Sequence, residues 1–150
     1  MAMSVDRNRA TARRFFEDGW NRRDFAVFDE VLAPNWAYYG YSAPPASPGG
    51  LGEQLGPLFT AFPDYHVTIE DVVSEGDKVV VRYTARGTHR GVFLGAAPTG
   101  RTVAYQGVDI LRFVDGQIVE RWNCHDRLSW MRQVGIIPER SCGGRDPVQR

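Results

Sequence analysis

The chain has 150 residues, 43% hydrophobic and 12% aromatic, with 18 basic residues balancing 18 acidic ones. That length suits one domain able to bury a core without metal or disulfide staples. The charges form no basic stripe, which argues against a nucleic-acid partner, and no apolar run approaches the ~20 residues that span a membrane.

Individual residue types exclude more. Lys78 is the only lysine and falls in an apparent turn, Gly76-Asp77-Lys78, so a buried Schiff-base lysine is not expected. The two cysteines, Cys124 and Cys142, have no metal-ligand spacing around them and make no disulfide framework. They read as free thiols in a reducing compartment. The first residues, Met1 to Arg7, lack an apolar signal core, so a cytoplasmic protein is expected. No glycine fingerprint for phosphate follows a strand, so a nucleotide site is not expected.

In chain order, the spacing of Phe15, Phe16, Gly19 and Trp20 predicts a helix from about Asp6 to Asn21. Asp24 can cap a second, short helix bearing Phe25, Phe28, Val31 and Leu32, which Pro34 ends. Asn35 to Tyr41 reads as a short aromatic strand, and Ser42 to Gly50 as a loop at a cavity rim. A third helix carries Leu51, Leu55, Leu58, Phe59 and Phe62. Pro57 inside it costs ~3 kcal/mol in a regular helix, so a kink or a start near Pro57 is expected. After Pro63-Asp64 the period becomes two. Val67, Ile69 and Val73 share one side of a strand, and Val79, Val81, Tyr83 and Ala85 share one side of the next. A Gly/Pro loop spans Arg90 to Arg101. Thr102–Val114 and Gln117–Cys124 are strands joined by the hairpin turn Asp115-Gly116. A helical turn at Arg127–Val134 follows, and residues 139–150 read as a flexible tail after a single 1–138 domain. Helices followed by antiparallel strands make the fold class α+β.

The hairpin is the informative element. A two-residue turn at Asp115-Gly116 opposes Phe113 to Ile118, Leu111 to Glu120, Asp109 to Trp122 and Tyr105 to Asp126. Alternation then gathers Val103, Tyr105, Asp109, Leu111, Phe113, Ile118, Glu120, Trp122 and Asp126 on one face. That face is the more aromatic, so it is assigned to the interior, where it carries three carboxylates. Buried carboxylates cost several kcal/mol unless paired. They serve either a cavity with a general acid/base or structural pairs, such as Glu120 with an arginine. A bulge would shift this register. The opposite face mixes Val108, Ile110 and Val119 with Arg112, Arg121 and Asn123, the pattern of a dimer contact. His125 and Asp126 are adjacent on a strand and point apart, so no dyad is expected. His66 reads as exposed, and His89 can reach the cavity.

Several runs together resemble one family. They are Trp20-Asn21-Arg22-Arg23-Asp24, Ala61-Phe62-Pro63-Asp64, Glu75-Gly76-Asp77-Lys78-Val79, Gly87-Thr88-His89-Arg90-Gly91-Val92-Phe93-Leu94-Gly95, Pro98-Thr99-Gly100, and Asp115-Gly116-Gln117-Ile118-Val119-Glu120 with Trp122, Asp126 and Gln133-Val134-Gly135. Over residues 8 to 138 the chain is similar to the SnoaL-like polyketide cyclases. The resemblance implies a nuclear-transport-factor-like cone, a curved antiparallel sheet around helices, in a homodimer or higher oligomer. It implies a cofactor-independent, metal-free ring closure of a hydrophobic polyketide-like small molecule, with Asp126 as acid/base and Asp109 assisting. Tyr39 stands where many members have histidine. Tyr39, Tyr105 or a protonated Asp109 would hold the developing oxyanion. Trp20, Trp36, Tyr38, Tyr83 and Trp122 would form the apolar wall, with His89 and Tyr105 as further substrate contacts, although the loop around His89 reads as structural. A hydrolase, isomerase or hydroxylation component on the same scaffold, or a non-catalytic binding module, are the other readings.

Overall fold

The structure, a computed structural model, describes residues 2–40 and 50–138. The expected tail at 139–150 and the expected rim loop, apart from Gly50, lie outside the described residues.

The N-terminal helical segment begins as α1, Ala2–Arg14, and continues as a π-helical stretch, Phe15–Asn21. The wider π winding puts Phe15, Phe16, Gly19 and Trp20 together on the buried side. The short helix α2 covers Ala26–Val31 and shows no side-chain cap, so the expected Asp24 cap does not form; Asp24 supplies only its carbonyl, to Val27 N at 3.1 Å. Leu32 already belongs to strand β1, Leu32–Tyr39, which runs through Pro34. Pro34 is tolerated there because β1 is an edge strand. Helix α3, Leu51–Ala61, contains Pro57 rather than starting at it.

Strands β2 (His66–Glu75), β3 (Lys78–Thr88), β4 (Thr102–Val114) and β5 (Gln117–His125) follow, and helix α4 (Arg127–Gln133) closes the described chain. They build one curved five-stranded sheet in the order β1-β5-β4-β3-β2, parallel only at β1–β5. The concave face packs on the helices. Val79, Val81, Tyr83 and Ala85 of β3 and Val103, Tyr105, Leu111 and Phe113 of β4 are all buried there, as their alternation predicts.

Two bulges break that alternation. In β2, Ile69 opposes Tyr83 but Asp71 opposes Arg82, which leaves Glu70 as the extra residue. Val72 therefore turns inward, and Val73, expected inside, is 58% exposed. In β5, Phe113 opposes Ile118 as expected, yet Arg112 opposes Glu120, so Val119 is extra. From there to the end of β5 every side chain changes face. Leu111 opposes Arg121, Asp109 opposes Asn123 and Gly107 opposes His125. The expected interior set of Glu120, Trp122 and Asp126 is thus corrected to Arg121, Asn123 and His125.

Among the described residues no helix is long and apolar enough to cross a membrane.

Candidate active site

A cavity of about 350 Å³ opens between the concave sheet face, α3 and α4. This lies within the range of small-molecule sites. Its walls are aromatic and aliphatic. Trp20 comes from the π-helical stretch, Trp36 and Tyr38 from β1, Leu51, Leu55 and Leu58 from α3, and Trp130 from α4. Trp130 lies over Tyr105 with ring centres 4.9 Å apart, and Phe93 lies over Trp130 at 4.7 Å, so α4 carries an aromatic shelf into the site.

One polar cluster is set into this wall. Asp109 is fully buried on β4, and Arg121 is 6% exposed on β5. Arg121 Nε donates to Asp109 Oδ2 at 2.6 Å. Burial is the largest single influence and works against the Arg121 charge, but Asp109, Tyr83 and Tyr38 together more than offset it and hold the guanidinium above its ordinary pKa. The aromatic faces of Tyr38, Trp20 and Phe15 lie 5.2 to 5.4 Å from the guanidinium carbon and add cation–π attraction. Asn123 Nδ2 donates to Asp109 Oδ1 at 2.5 Å and to the Tyr83 hydroxyl at 2.9 Å. Room for that hydroxyl comes from Gly107, where a Cβ would stand 2.4 Å from the Tyr83 oxygen. Burial first, then the Asp109 charge, raises the Tyr83 phenol far above its ordinary value, so it stays protonated.

These bonds set the state of His125. A carboxylate paired with arginine can only accept, so Asn123 must turn its amide nitrogen toward Asp109. The Asn123 carbonyl then faces His125 Nδ1 at 2.8 Å, and Nδ1 must carry a proton to donate to it. In a neutral ring Nε2 is then the basic nitrogen; that atom is buried, and the His125 ring is among the residues that line the cavity. Burial lowers the His125 pKa, partly opposed by Asp109, so the neutral ring is the favoured state. The cluster thus holds a neutral imidazole in one tautomer, the form that can accept a proton.

The expected site residues separate into two groups. Trp20, Trp36, Tyr38, Tyr83 and Tyr105 line the cavity, and Asp109 lies behind the lining residues Arg121 and Asn123. Four others stand elsewhere. Asp126 is exposed and caps α4, its Oδ1 accepting from Ser129 N at 2.9 Å. Trp122 and Tyr39 are on the outer face, stacked on each other with ring centres 5.3 Å apart. His89 is fully buried, stacked on Phe62 at 5.3 Å, and its Nδ1 meets Thr99 Oγ1 at 3.1 Å. With its main chain bonded to Arg101 and Gly100, it ties the two ends of the Gly/Pro loop together. Glu120 makes the expected structural pair, with Arg112 at 2.5 Å, on the outer face. Sequence reasoning missed Arg121, Asn123, His125, Tyr65 and Trp130. The first three were hidden by the Val119 bulge, and nothing in the local pattern brings Tyr65 and Trp130 to the site. Among the described residues no group of three or more His, Cys, Asp or Glu side chains is placed to hold a metal ion.

The sequence profile described as SnoaL-like polyketide cyclase matches residues 10–134. The chain belongs to that family. Solved structures of similar SnoaL-like proteins include a candidate family cyclase from Jannaschia sp. CCS1, 30% identical over 89% of this chain and 95% of that one, with a TM-score of 0.79. IdmH, a candidate polyketide cyclase from Streptomyces antibioticus, is 32% identical over 85% and 98%, with a TM-score of 0.72. AclR, a candidate hydroxylase from Streptomyces galilaeus, is 28% identical over 91% and 85%, with a TM-score of 0.82. No curated protein matches the chain. The α+β cone implied by the sequence resemblance is therefore the fold of this SnoaL-like chain.

Proposed function

We propose that this SnoaL-like protein closes a ring in a polyketide-derived chain by acid/base catalysis, with His125 as the proton acceptor. The observation that supports this reading is the tautomer: His125 donates from Nδ1 to Asn123, which leaves Nε2 as the basic nitrogen of a ring that lines an aromatic cavity. Nε2 takes a proton from a carbon next to a carbonyl. The resulting carbanion attacks a second carbonyl of the same chain, a carbon–carbon bond forms, and the imidazolium returns the proton to the new alkoxide. Substrate and product then have one formula, unless water leaves afterwards. Asp109 is a positioning residue here: through Asn123 it fixes the tautomer, and its charge favours the imidazolium.

The test is turnover of a linear β-polyketo ester, followed by product mass. An unchanged mass or a loss of water supports ring closure. His125→Gln is expected to lower the rate by about 10²–10⁴-fold, the usual worth of a general acid/base. A rate within threefold of wild type removes His125 from the role. A second reading, a hydroxylation component, is favoured by the likeness to AclR. It requires a product heavier by one oxygen and an oxidant supplied from outside.

The outer sheet face supports a homodimer. Tyr39, Trp122, Ile110, Val80 and Val73 are cross-strand partners in succession and form one apolar row over all five strands. Val73 and Ile110 are exposed. An isologous pair of such rows would cover both.

A further inference from the structure

Tyr65 precedes β2 and Tyr105 lies on β4, and their hydroxyl oxygens are 2.5 Å apart. Both side chains line the cavity and are almost fully buried, at 6% and 7% exposure. Tyr65 is held from behind: Arg23 Nη2 donates to its carbonyl at 2.9 Å, and the Trp20 ring lies 6.0 Å away. Tyr105 has the His125 ring at 5.2 Å and Trp130 stacked on it. The phenol pair and the imidazole therefore border the same part of the cavity.

Two phenols bring two protons, and the bond between them uses one. With Tyr105 as donor within the pair, the Tyr65 proton is left for a ligand oxygen. An anionic oxygen between them can turn both protons onto itself. Burial, partly offset by Tyr105 and by Arg121, pushes the Tyr65 phenol up to about 12, so it remains a donor throughout the physiological range. Arg121 contributes a positive field at the same place.

We propose that the Tyr65–Tyr105 pair is an oxyanion site that receives the enolate or phenolate oxygen of a planar ligand whose carbon skeleton lies against Trp130 and His125. The assignment rests on the ring-closure reading for its use in catalysis, where it would stabilise the enolate as His125 takes the proton. It does not need that reading for binding.

The test uses 2-naphthol, an inert planar phenol, with the full-length protein, and reads the absorption and fluorescence of the bound probe. Wild type is expected to bind naphtholate in preference to naphthol, so the bound probe ionises at least one pH unit below the free probe. Tyr65→Phe is expected to bind naphtholate about 10–100-fold more weakly, the usual loss for a hydrogen bond to a charged acceptor. Its affinity for 2-methylnaphthalene, of similar shape without the oxygen, should change less than twofold. Tyr105→Phe is the second variant if Tyr65→Phe unfolds. A bound probe that ionises no more easily than the free one overturns the proposal, as does an equal loss for both probes. Naphtholate selectivity without ring closure of a β-polyketo ester would sink the cyclase reading and leave this site standing. Ring closure in a protein indifferent to naphtholate would do the reverse.

Discussion

Both Asp109 oxygens are engaged, one by Arg121 and one by Asn123, with no exposure to water. Asp109→Asn leaves the Arg121 charge buried and unpaired. The expected loss is about 3–5 kcal/mol of stability in a urea titration, and Arg121→Met added to it should recover part of that. A full-sized loss in the double variant would show that the ion pair itself, rather than the orphaned charge, matters. His125 gives a pH signature. An unfolded histidine takes up its proton near pH 6.5, whereas the folded ring resists protonation because it is buried. Between 6.5 and the lower folded value the unfolded chain binds more protons. Stability therefore holds above pH 6.5 and falls as the pH drops through that window. If His125 is the base, the acid limb of kcat/KM lies below 6.5 and disappears in His125→Gln. An acid limb unchanged in that variant would assign it to another group.

At the scale of elements, α4 matters through its cap. It has seven residues, carries Trp130 into the cavity, and starts at the Asp126 carboxylate. Asn caps a helix about as well as Asp, and Ala costs ~1 kcal/mol. Asp126→Asn is accordingly expected to keep near-normal turnover and melting temperature. Asp126→Ala should melt a few degrees lower and raise KM, as the Trp130 shelf loosens. Turnover abolished in Asp126→Asn, with the fold intact, would restore Asp126 as the acid/base and displace His125. In β4, Gly107→Ala forces a Cβ against the Tyr83 hydroxyl and within 3.0 Å of the His125 Cβ. Overpacking of this kind costs about 1–3 kcal/mol. The variant should lose activity beyond its stability loss, because Tyr83 and Asn123 part.

For the whole molecule, the cross-strand row from Tyr39 to Val73 predicts association through the convex sheet face. Wild type should sediment as a dimer and Ile110→Arg as a monomer, with the cavity still able to bind 2-naphthol. A wild-type monomer at micromolar concentration removes the homodimer. Arg112 and Glu120 pair beside that row, so a salt-dependent contribution is expected at its margin.

The element order, the inward sets of β3 and β4, the Asp115-Gly116 turn and the α+β class are legible in the sequence, because hydrophobic period and turn chemistry act over a few neighbouring residues. Of the apolar wall that the resemblance implied, Trp20, Trp36, Tyr38 and Tyr83 line the cavity, whereas Trp122 stands on the outer face against Tyr39. Which β5 side chains face inward was decided only in three dimensions. One unpaired residue, Val119, reverses the phase of everything after it, and no local preference marks where a strand takes in an extra residue. The burial of Arg121 against Asp109, the tautomer of His125 and the meeting of Tyr65 with Tyr105 all follow from pairing between distant segments, which the spacing of residues along one chain does not encode.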